Sequence, residues 1–354
     1  MQGYLVLENG RVFTGNLTGP TSEVEGEVVF STGLTGYQEL FSDPSFAGQI
    51  VVMTYPVVGN YGFNQANFVS QGPQLSGLVI REACESPSHY LNEWDFADFL
   101  ERFPFPVLTG VDTRALTRIL RQHGTMGGVL TNNLDHMELL VARAQAAPAI
   151  LTANLVEKVS RRQSQVYGAG NRKKVAFLDY GAKQGIIDAL VKRGCEVTAL
   201  PATSTAAEIL AVGADGIFLS NGPGDPKACD YAVEAIRGVL GKAPLFGICL
   251  GHQLLGLALG ADTYKLPFGH RGVNQPVKDL QTGRAYITSQ NHGYAINPDT
   301  LPAEVEVSFI NLNDLTVEGL RHRELPVASV QFHPEGFPGF TDTGYLFDEF
   351  VAHI

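Results

Sequence analysis

The sequence predicts an α/β protein in two parts, an N-terminal α+β domain followed by a doubly wound, mostly parallel sheet. Three observations carry this prediction. From residue 175 onward, short apolar runs alternate with segments of helical periodicity, the pattern of strands joined by crossover helices. One of those runs ends in a glycine-flanked cysteine that opens a helix-like stretch. The chain of 354 residues is also too long for one ordinary core and suggests about two domains.

In the N-terminal part, residues 4–8 and 11–13 read as strands around Asn9-Gly10, a strong hairpin signal because both turn positions accept positive φ. Further strands are predicted at 26–30, 49–55 and 77–81, separated by glycine-bearing loops. Helices are predicted at 91–103 and at 113–122, the latter with Asp112 as N-cap and Gly124 as its stop. Residues 1–152 form the first domain in this reading, and the pattern lapses over 153–172. That stretch is read as the linker, and its basic cluster around Arg161-Arg162 as a solvated connector. The second domain, 173–354, opens with strand 175–179, helix 185–193, strand 196–200, helix 205–212 and strand 216–220. In such sheets the working residues gather in loops beyond the carboxyl ends of the strands.

Composition narrows the function. Hydrophobic residues make up 44% and charged residues 17%, with 39 Gly and 19 Pro, so the chain reads as globular and turn-rich. A net charge of −11 argues against a nucleic-acid partner. Residues 1–8 lack the basic and apolar regions of a signal peptide, and no run is long and apolar enough for a membrane span, so a cytoplasmic protein is expected. Cys84, Cys195, Cys229 and Cys249 form no C-x-x-C pair, which indicates neither a disulfide framework nor a zinc site, and no metal site is expected. The loop 179–185 is not G-x-G-x-x-G and no P-loop occurs, so no nucleotide cradle, and no cofactor in this chain, is expected.

The chemistry centres on residues 243–253. Phe246-Gly247-Ile248-Cys249-Leu250-Gly251 reads as a nucleophile elbow, in which a sharp strand-to-helix turn exposes the nucleophile and small neighbours let strand and helix approach. A helix N-terminus favours the thiolate of Cys249. The N–H of Leu250 and one from the Gly222-Pro223-Gly224 turn would supply a two-point oxyanion hole. A base is predicted at His333, which follows the strand-like run 327–332 and is oriented by Glu335 two residues on. The eight other histidines lack this arrangement in sequence.

Phe246 to Gln253, together with Phe332-His333-Pro334-Glu335, resembles the class I glutamine amidotransferase family. The likeness extends to 220–226, 268–272 and 289–294. In the N-terminal part it extends to Gly36-Tyr37-Gln38-Glu39, Asp43-Pro44-Ser45, 54–56, 59–62 and 110–118, which are similar to the first domain of the glutamine-hydrolysing small subunits of carbamoyl-phosphate synthetase. Tyr294, where Phe is common, and Gly336-Phe337, where small residues are usual, depart from the family pattern.

The resemblance implies a fold of the class I amidotransferase type and a Cys249-His333-Glu335 triad that hydrolyses glutamine through a glutamyl thioester. It further implies oxyanion contacts from Leu250, Gly222 and Gly224, and glutamine binding by Ser45, Gln253, Asn291, Gly293 and Tyr294. The implied partner is a large carbamoyl-phosphate synthetase subunit that receives the ammonia and uses ATP and Mg, in a heterodimer or a higher oligomer of heterodimers. Two other enzymes would use the same triad: a free-standing γ-glutamyl cysteine hydrolase and the amidotransferase subunit of a different synthase. A regulatory scaffold would predict loss of the triad, whose three members are present.

Overall fold

A computed structural model describes residues 1–20, 23–152, 155–336 and 338–354, with the backbone alone for 148–152, and the chain divides into two compact units, Met1–Ala153 and Asn154–Ile354.

The first unit contains β1 (Gln2–Leu7), β2 (Val12–Thr18), β3 (Val24–Ser31), β4 (Gln49–Met53), β5 (Val57–Val58), β6 (Gly77–Val79), β7 (Glu82–Ala83), β8 (Val107–Thr109) and β9 (Met126–Thr131). Seven of these close a barrel in the order β1-β2-β8-β6-β4-β3-β9, while β5 and β7 pair as a separate ribbon. Val29, Val51, Leu78 and Val107, one from each of four adjacent strands, bury against Phe41 of α1 (Tyr37–Ser42) and Phe99 of α2 (Phe96–Arg102). On other strands Val6 and Val129 cover Leu140 and Ala144 of α4 (Met137–Thr152). Closure removes the exposed sheet edges that an open sheet of this size would leave.

The β1–β2 hairpin forms as predicted, but its loop differs. Gly10 N–H donates to the Leu7 carbonyl at 2.8 Å and Leu7 N–H to the Arg11 carbonyl at 2.9 Å, and Gly10 has φ 80 while Asn9 stays outside the left-handed region. This is a three-residue loop, a tight turn followed by a glycine bulge, rather than the two-residue turn in which both positions take positive φ. Helix α3 (Thr113–His123) matches expectation: the Asp112 carboxylate accepts from Ala115 N–H at 2.9 Å, and Gly124, at φ 91, ends it. The helix expected at 91–103 begins only at Phe96, capped by Asp95. Trp94 is already committed to an extended bridge, exchanging N–H and C=O bonds with Phe63 at 3.1 and 2.9 Å.

The second unit comprises α5 (Leu155–Val159), β10 (Gln165–Tyr167), β11 (Lys173–Asp179), α6 (Gln184–Lys192), β12 (Cys195–Pro201), α7 (Ala206–Ala211), β13 (Gly216–Leu219), α8 (Asp230–Val239), β14 (Leu245–Ile248), α9 (Leu250–Leu259), β15 (Asp262–Asp279), β16 (Ala285–Asn297), β17 (Val305–Asn311), β18 (Val317–His322), β19 (Val327–Val330) and α10 (Tyr345–His353). The sheet runs β10-β12-β11-β13-β14-β19-β18-β17-β15-β16. Its centre, β12-β11-β13-β14-β19, is parallel, and antiparallel strands extend it at both ends. Successive residues face opposite sides. Leu178, Leu219 and Leu245 pack on Ile236 of α8 and Leu254 and Leu255 of α9, whereas Phe177, Phe218 and Phe246 pack on Ile186 and Ile187 of α6 and Phe347 and Phe350 of α10. Burial on both faces explains why these strands read as continuous apolar runs.

The stretch expected as linker is folded into this unit: α5 begins at Leu155, β10 pairs with β12, and Arg161 forms an ion pair with Asp179 at 2.7 Å with its guanidinium 5.6 Å from the Tyr167 ring centre. The Arg161 charge therefore neutralises a carboxylate of its own unit rather than standing free. Residues 153 and 154 lie outside the described residues.

Candidate active site

Strand β14 ends at Ile248, helix α9 starts at Leu250, and Cys249 occupies the single residue between them with φ 54 and ψ −106. A non-glycine residue held there carries of order 1–3 kcal/mol of backbone strain, which the surroundings must over-determine. They do so from several sides. Cys249 N–H donates to the Val330 carbonyl at 2.9 Å, Gln253 N–H returns to the Cys249 carbonyl at 3.1 Å, and Gly251 N–H donates to the Ser220 carbonyl at 3.0 Å. Gly251 is required by space, since a Cβ there would lie 2.5 Å from the Leu219 carbonyl oxygen. At Gly247 a Cβ would lie 2.8 Å from the backbone of Gly251. The two flanking glycines thus permit the close packing of strand and helix that the turn requires.

The expected oxyanion elements adjoin this turn. A Cβ on Gly222 would run into the Tyr180 carbonyl and lie 2.8 Å from Cδ2 of Leu250, and Gly224 has φ +91, so both glycines are demanded by the backbone. Leu250 opens α9, and its N–H is among those that a helix N-terminus leaves without an intrahelical acceptor. Asn221 holds the neighbouring loop, its Nδ2 donating to the Gly181 carbonyl and its Oδ1 accepting from Lys183 N–H, both at 3.0 Å.

Strands β14 and β19 pair in parallel through Ile248 and Val330, so His333 emerges from the same end of the sheet as Cys249. Both residues touch β16. Cys249 Sγ lies 3.5 Å from the Asn291 carbonyl, and His333 N–H donates to the Ser289 carbonyl at 2.9 Å. His333 is buried, its Nδ1 lies 2.7 Å from Glu335 Oε1, and its Nε2 makes no hydrogen bond, leaving that nitrogen for a reacting proton.

Lys183 forms an ion pair with Glu335, and each side chain is only 2% exposed. Burial raises the Glu335 carboxyl, but the Lys183 ammonium and then His333 overcome it and hold the pKa at about 2. The carboxylate is therefore fixed in the charged form that orients the imidazole. Lys183 is not marked by local sequence, because its partner Glu335 lies 152 positions later. Its place just beyond the carboxyl end of β11 was the available signal.

The glutamine-binding candidates of this unit lie on α9 and β16. Gln253 Nε2 donates to the Tyr294 carbonyl at 2.8 Å and to Gln331 Oε1 at 3.0 Å, which ties α9 to β16 and to the chain after β19. Asn291, Gly293 and Tyr294 belong to β16, and a Cβ on Gly293 would stand 3.3 Å from Nη2 of Arg271. Gln331 was missed because nothing local marks it. Ser45 belongs to the other unit, in the turn Pro44–Phe46, where its N–H donates to Asp43 Oδ1 at 2.9 Å.

The remaining cysteines differ in environment. Burial pushes the Cys229 thiol up to about 11 and raises that of Cys195, while Cys84 is half-buried; all four are free thiols. His252, in the first turn of α9, is lowered to about 3 by burial and sits 2.8 Å from Ser329 Oγ, a neutral packing residue. Two histidines depart from the sequence reading: His270 has carboxylate partners in Asp314 at 2.8 Å and Glu318 at 3.4 Å, and His292 lies 3.9 Å from Glu318, all brought together from more than twenty residues apart.

The second unit is a class I glutamine amidotransferase domain: the family model described as "Glutamine amidotransferase class-I" matches residues 176–353. A second model, "Carbamoyl-phosphate synthase small chain, CPSase domain", matches residues 5–130. The chain is 49% identical over 350 residues to the carbamoyl phosphate synthase small chain of Staphylococcus epidermidis, covering 99% of this chain and 95% of that one. With the Listeria monocytogenes small chain it shares 50% over 348 residues, 98% and 95% of the two lengths. The corresponding protein of Symbiobacterium thermophilum is 50% identical over 355 residues, 98% and 97%. The chain belongs to the carbamoyl-phosphate synthase small chain family. Of the departures noted in the sequence, Tyr294 contributes its backbone carbonyl, which any residue supplies, Gly336 takes φ +65, and Phe337 lies outside the described residues. No helix among the described residues is long and apolar enough to cross a membrane.

Proposed function

We propose that this chain hydrolyses glutamine with a Cys249-His333-Glu335 triad and delivers the ammonia to a large synthase subunit, which makes carbamoyl phosphate from bicarbonate and ATP. The observation that carries the reading is Cys249, the residue at φ 54 between β14 and α9, at the end of the sheet where His333 is held by Glu335. Cys249 passes its thiol proton to His333 as its sulfur attacks the side-chain carboxamide carbon of glutamine, and the developing oxyanion meets N–H groups of Leu250 and the Gly222–Gly224 turn. The C–N bond then breaks, His333 gives its proton to the departing ammonia, and a glutamyl thioester remains. His333 takes a proton from water, whose oxygen attacks the thioester carbon. The C–S bond breaks and His333 returns its proton to the sulfur, releasing glutamate and restoring the thiol.

Gln253, Asn291, Gly293 and Tyr294 hold the substrate in this reading, and Ser45 is assigned to it by resemblance. The need for a partner follows from the product. Ammonia released to water is largely converted to non-nucleophilic ammonium, and the sequence carries no recognisable nucleotide cradle in which to use it. ATP, Mg and the synthase step therefore belong to the large subunit, and the glutaminase reaction of this chain needs no cofactor. Cys249→Ser tests the assignment. In the complex it abolishes glutamine-dependent carbamoyl phosphate formation and leaves ammonia-dependent formation intact, because a serine alkoxide is far harder to form than a thiolate. Substantial glutaminase activity in the purified variant refutes it.

A further inference from the structure

A second polar cluster lies on β15, β16 and β18, and its side chains take no part in the steps above. His270, His292 and Glu318 are buried, and one ligand atom from each lies within 4.8 Å of the others. The outer ring nitrogens are committed: His270 Nε2 is 2.8 Å from Asp314 Oδ2, and His292 Nδ1 is 2.8 Å from the Tyr294 carbonyl. An ionised carboxylate and a carbonyl only accept, so these nitrogens carry the protons, and in the neutral rings His270 Nδ1 and His292 Nε2 present lone pairs.

Both lone pairs converge on Gln290 Oε1, at 3.0 Å each, and on Glu318 Oε1, at 3.4 and 3.9 Å. The Gln290 amide has its orientation fixed, because its Nε2 donates to Glu318 Oε2 at 3.0 Å and to Thr288 Oγ1 at 3.1 Å. Asn311 Nδ2 approaches from the side, 3.3 Å from Glu318 Oε1 and 3.4 Å from His270 Nδ1, and supplies a dipole without a charge. Four acceptor atoms thus face one another in a buried space with the Asn311 amide as the donor beside two of them, an arrangement that positive charge among them stabilises.

We propose that His270 Nδ1, His292 Nε2, Glu318 Oε1 and Gln290 Oε1 form a structural site for a divalent cation of the zinc type. In a tetrahedron with metal–ligand bonds of 2.0–2.1 Å the ligand atoms stand about 3.3 Å apart. Four of the six ligand–ligand separations are 3.0 to 3.9 Å, and the ligand atoms of His270, His292 and Glu318 lie within 4.8 Å of one another, so binding an ion draws this set closer together. Two imidazoles with a carboxylate suit zinc, whereas magnesium and calcium take oxygen ligands. The outer shell has the form metal-binding histidines show, with each distal ring N–H donated to a carboxylate or a backbone carbonyl. The Tyr294 carbonyl that holds His292 also accepts from Gln253, so the ion would brace the part of β16 that carries Asn291, Gly293 and Tyr294.

Protons are the competing source of charge. Burial lowers the pKa of His270, but hydrogen bonds to Asp314 and Glu318 outweigh it and raise it to about 9, so a metal-free cluster would carry an imidazolium there. Titration of the purified, chelator-treated full chain with Zn²⁺, and with Co²⁺ as a visible-absorption probe, separates the two. The proposal predicts about one ion per chain, with the d–d bands of tetrahedral Co²⁺. Asp314→Asn, at a partly exposed side chain, is expected to fold normally and to weaken zinc binding 10- to 100-fold in competition with a chromophoric chelator. Glu318→Gln is expected to abolish stoichiometric binding. Absence of uptake by the unmodified chain overturns the site in favour of the protonated cluster, and equal affinity in the unmodified and Asp314→Asn chains overturns it in favour of binding elsewhere.

Discussion

Replacing Lys183 by Met probes the energetics of the triad without touching its three members. The substitution keeps most of the side-chain volume and removes the ammonium that pairs with Glu335, both groups being 2% exposed. Removing one partner of a buried ion pair leaves the other charge uncompensated and costs about 3–5 kcal/mol. For a unit of this size each kcal/mol corresponds to a Tm change of roughly 2–4 °C, so the unfolding step of the C-terminal unit should fall by about 6–20 °C at pH 7. The double variant Lys183→Met/Glu335→Gln, which removes the stranded charge as well, should recover part of that loss. The pH dependence has a defined sign. The Glu335 carboxyl is held at about 2, below the unfolded value near 4.3, so its contribution is complete above pH ~5 and is lost as pH falls toward 2. The stability gap between the unmodified chain and Lys183→Met should therefore narrow as pH is lowered from 5. Denaturant titrations at several pH values measure it; equal stability at pH 7, or a gap constant from pH 7 to 3, would refute the argument.

Two further substitutions separate proton transfer from geometry. His333→Asn removes the proton carrier and is expected to lower glutamine turnover by about 10²–10⁴, whereas Glu335→Gln, which only weakens its orientation, should cost less; equal small losses in steady-state assays would exclude both from the chemistry. Gly251→Ala forces a methyl group against the Leu219 carbonyl 2.5 Å away, so the elbow must shift; a displacement of about 1 Å predicts a loss near 10²-fold in turnover and overpacking of ~1–3 kcal/mol, read by kinetics and thermal melting.

How much of this was legible follows from how far apart the cooperating residues lie in sequence. The elbow, its flanking glycines and the His333-Glu335 pair are set by neighbours one or two positions away, and the structure places each where the spacing puts it. The parallel strands were readable for the same reason: helix α6 at Gln184–Lys192 lies within a residue of its expected span, and the Thr205 cap of α7 lies at the expected start. The barrel of the first unit was not legible. Its closure joins β1 to β9, more than a hundred residues apart, and β9 carries Gly127 and Gly128, which weaken a strand signal although Gly128 is needed where Val28 crosses it. Lys183 pairs with a carboxylate 152 positions later, and His270 with Asp314 and Glu318, distances over which no local pattern speaks. The late start of α2 shows a different limit, since the apolar periodicity of 91–95 was real but Trp94 was claimed by its bridge to Phe63.

The central claim is that Cys249 becomes covalently acylated by glutamine. Rapid acid quenching of the full chain during turnover, followed by proteolysis and mass spectrometry, reads this directly. The account predicts a glutamyl adduct on the peptide containing Cys249, cleared on glutamine depletion and absent from Cys249→Ser. Full glutamine hydrolysis with Cys249 unmodified throughout, or with the adduct on Cys84, would contradict it.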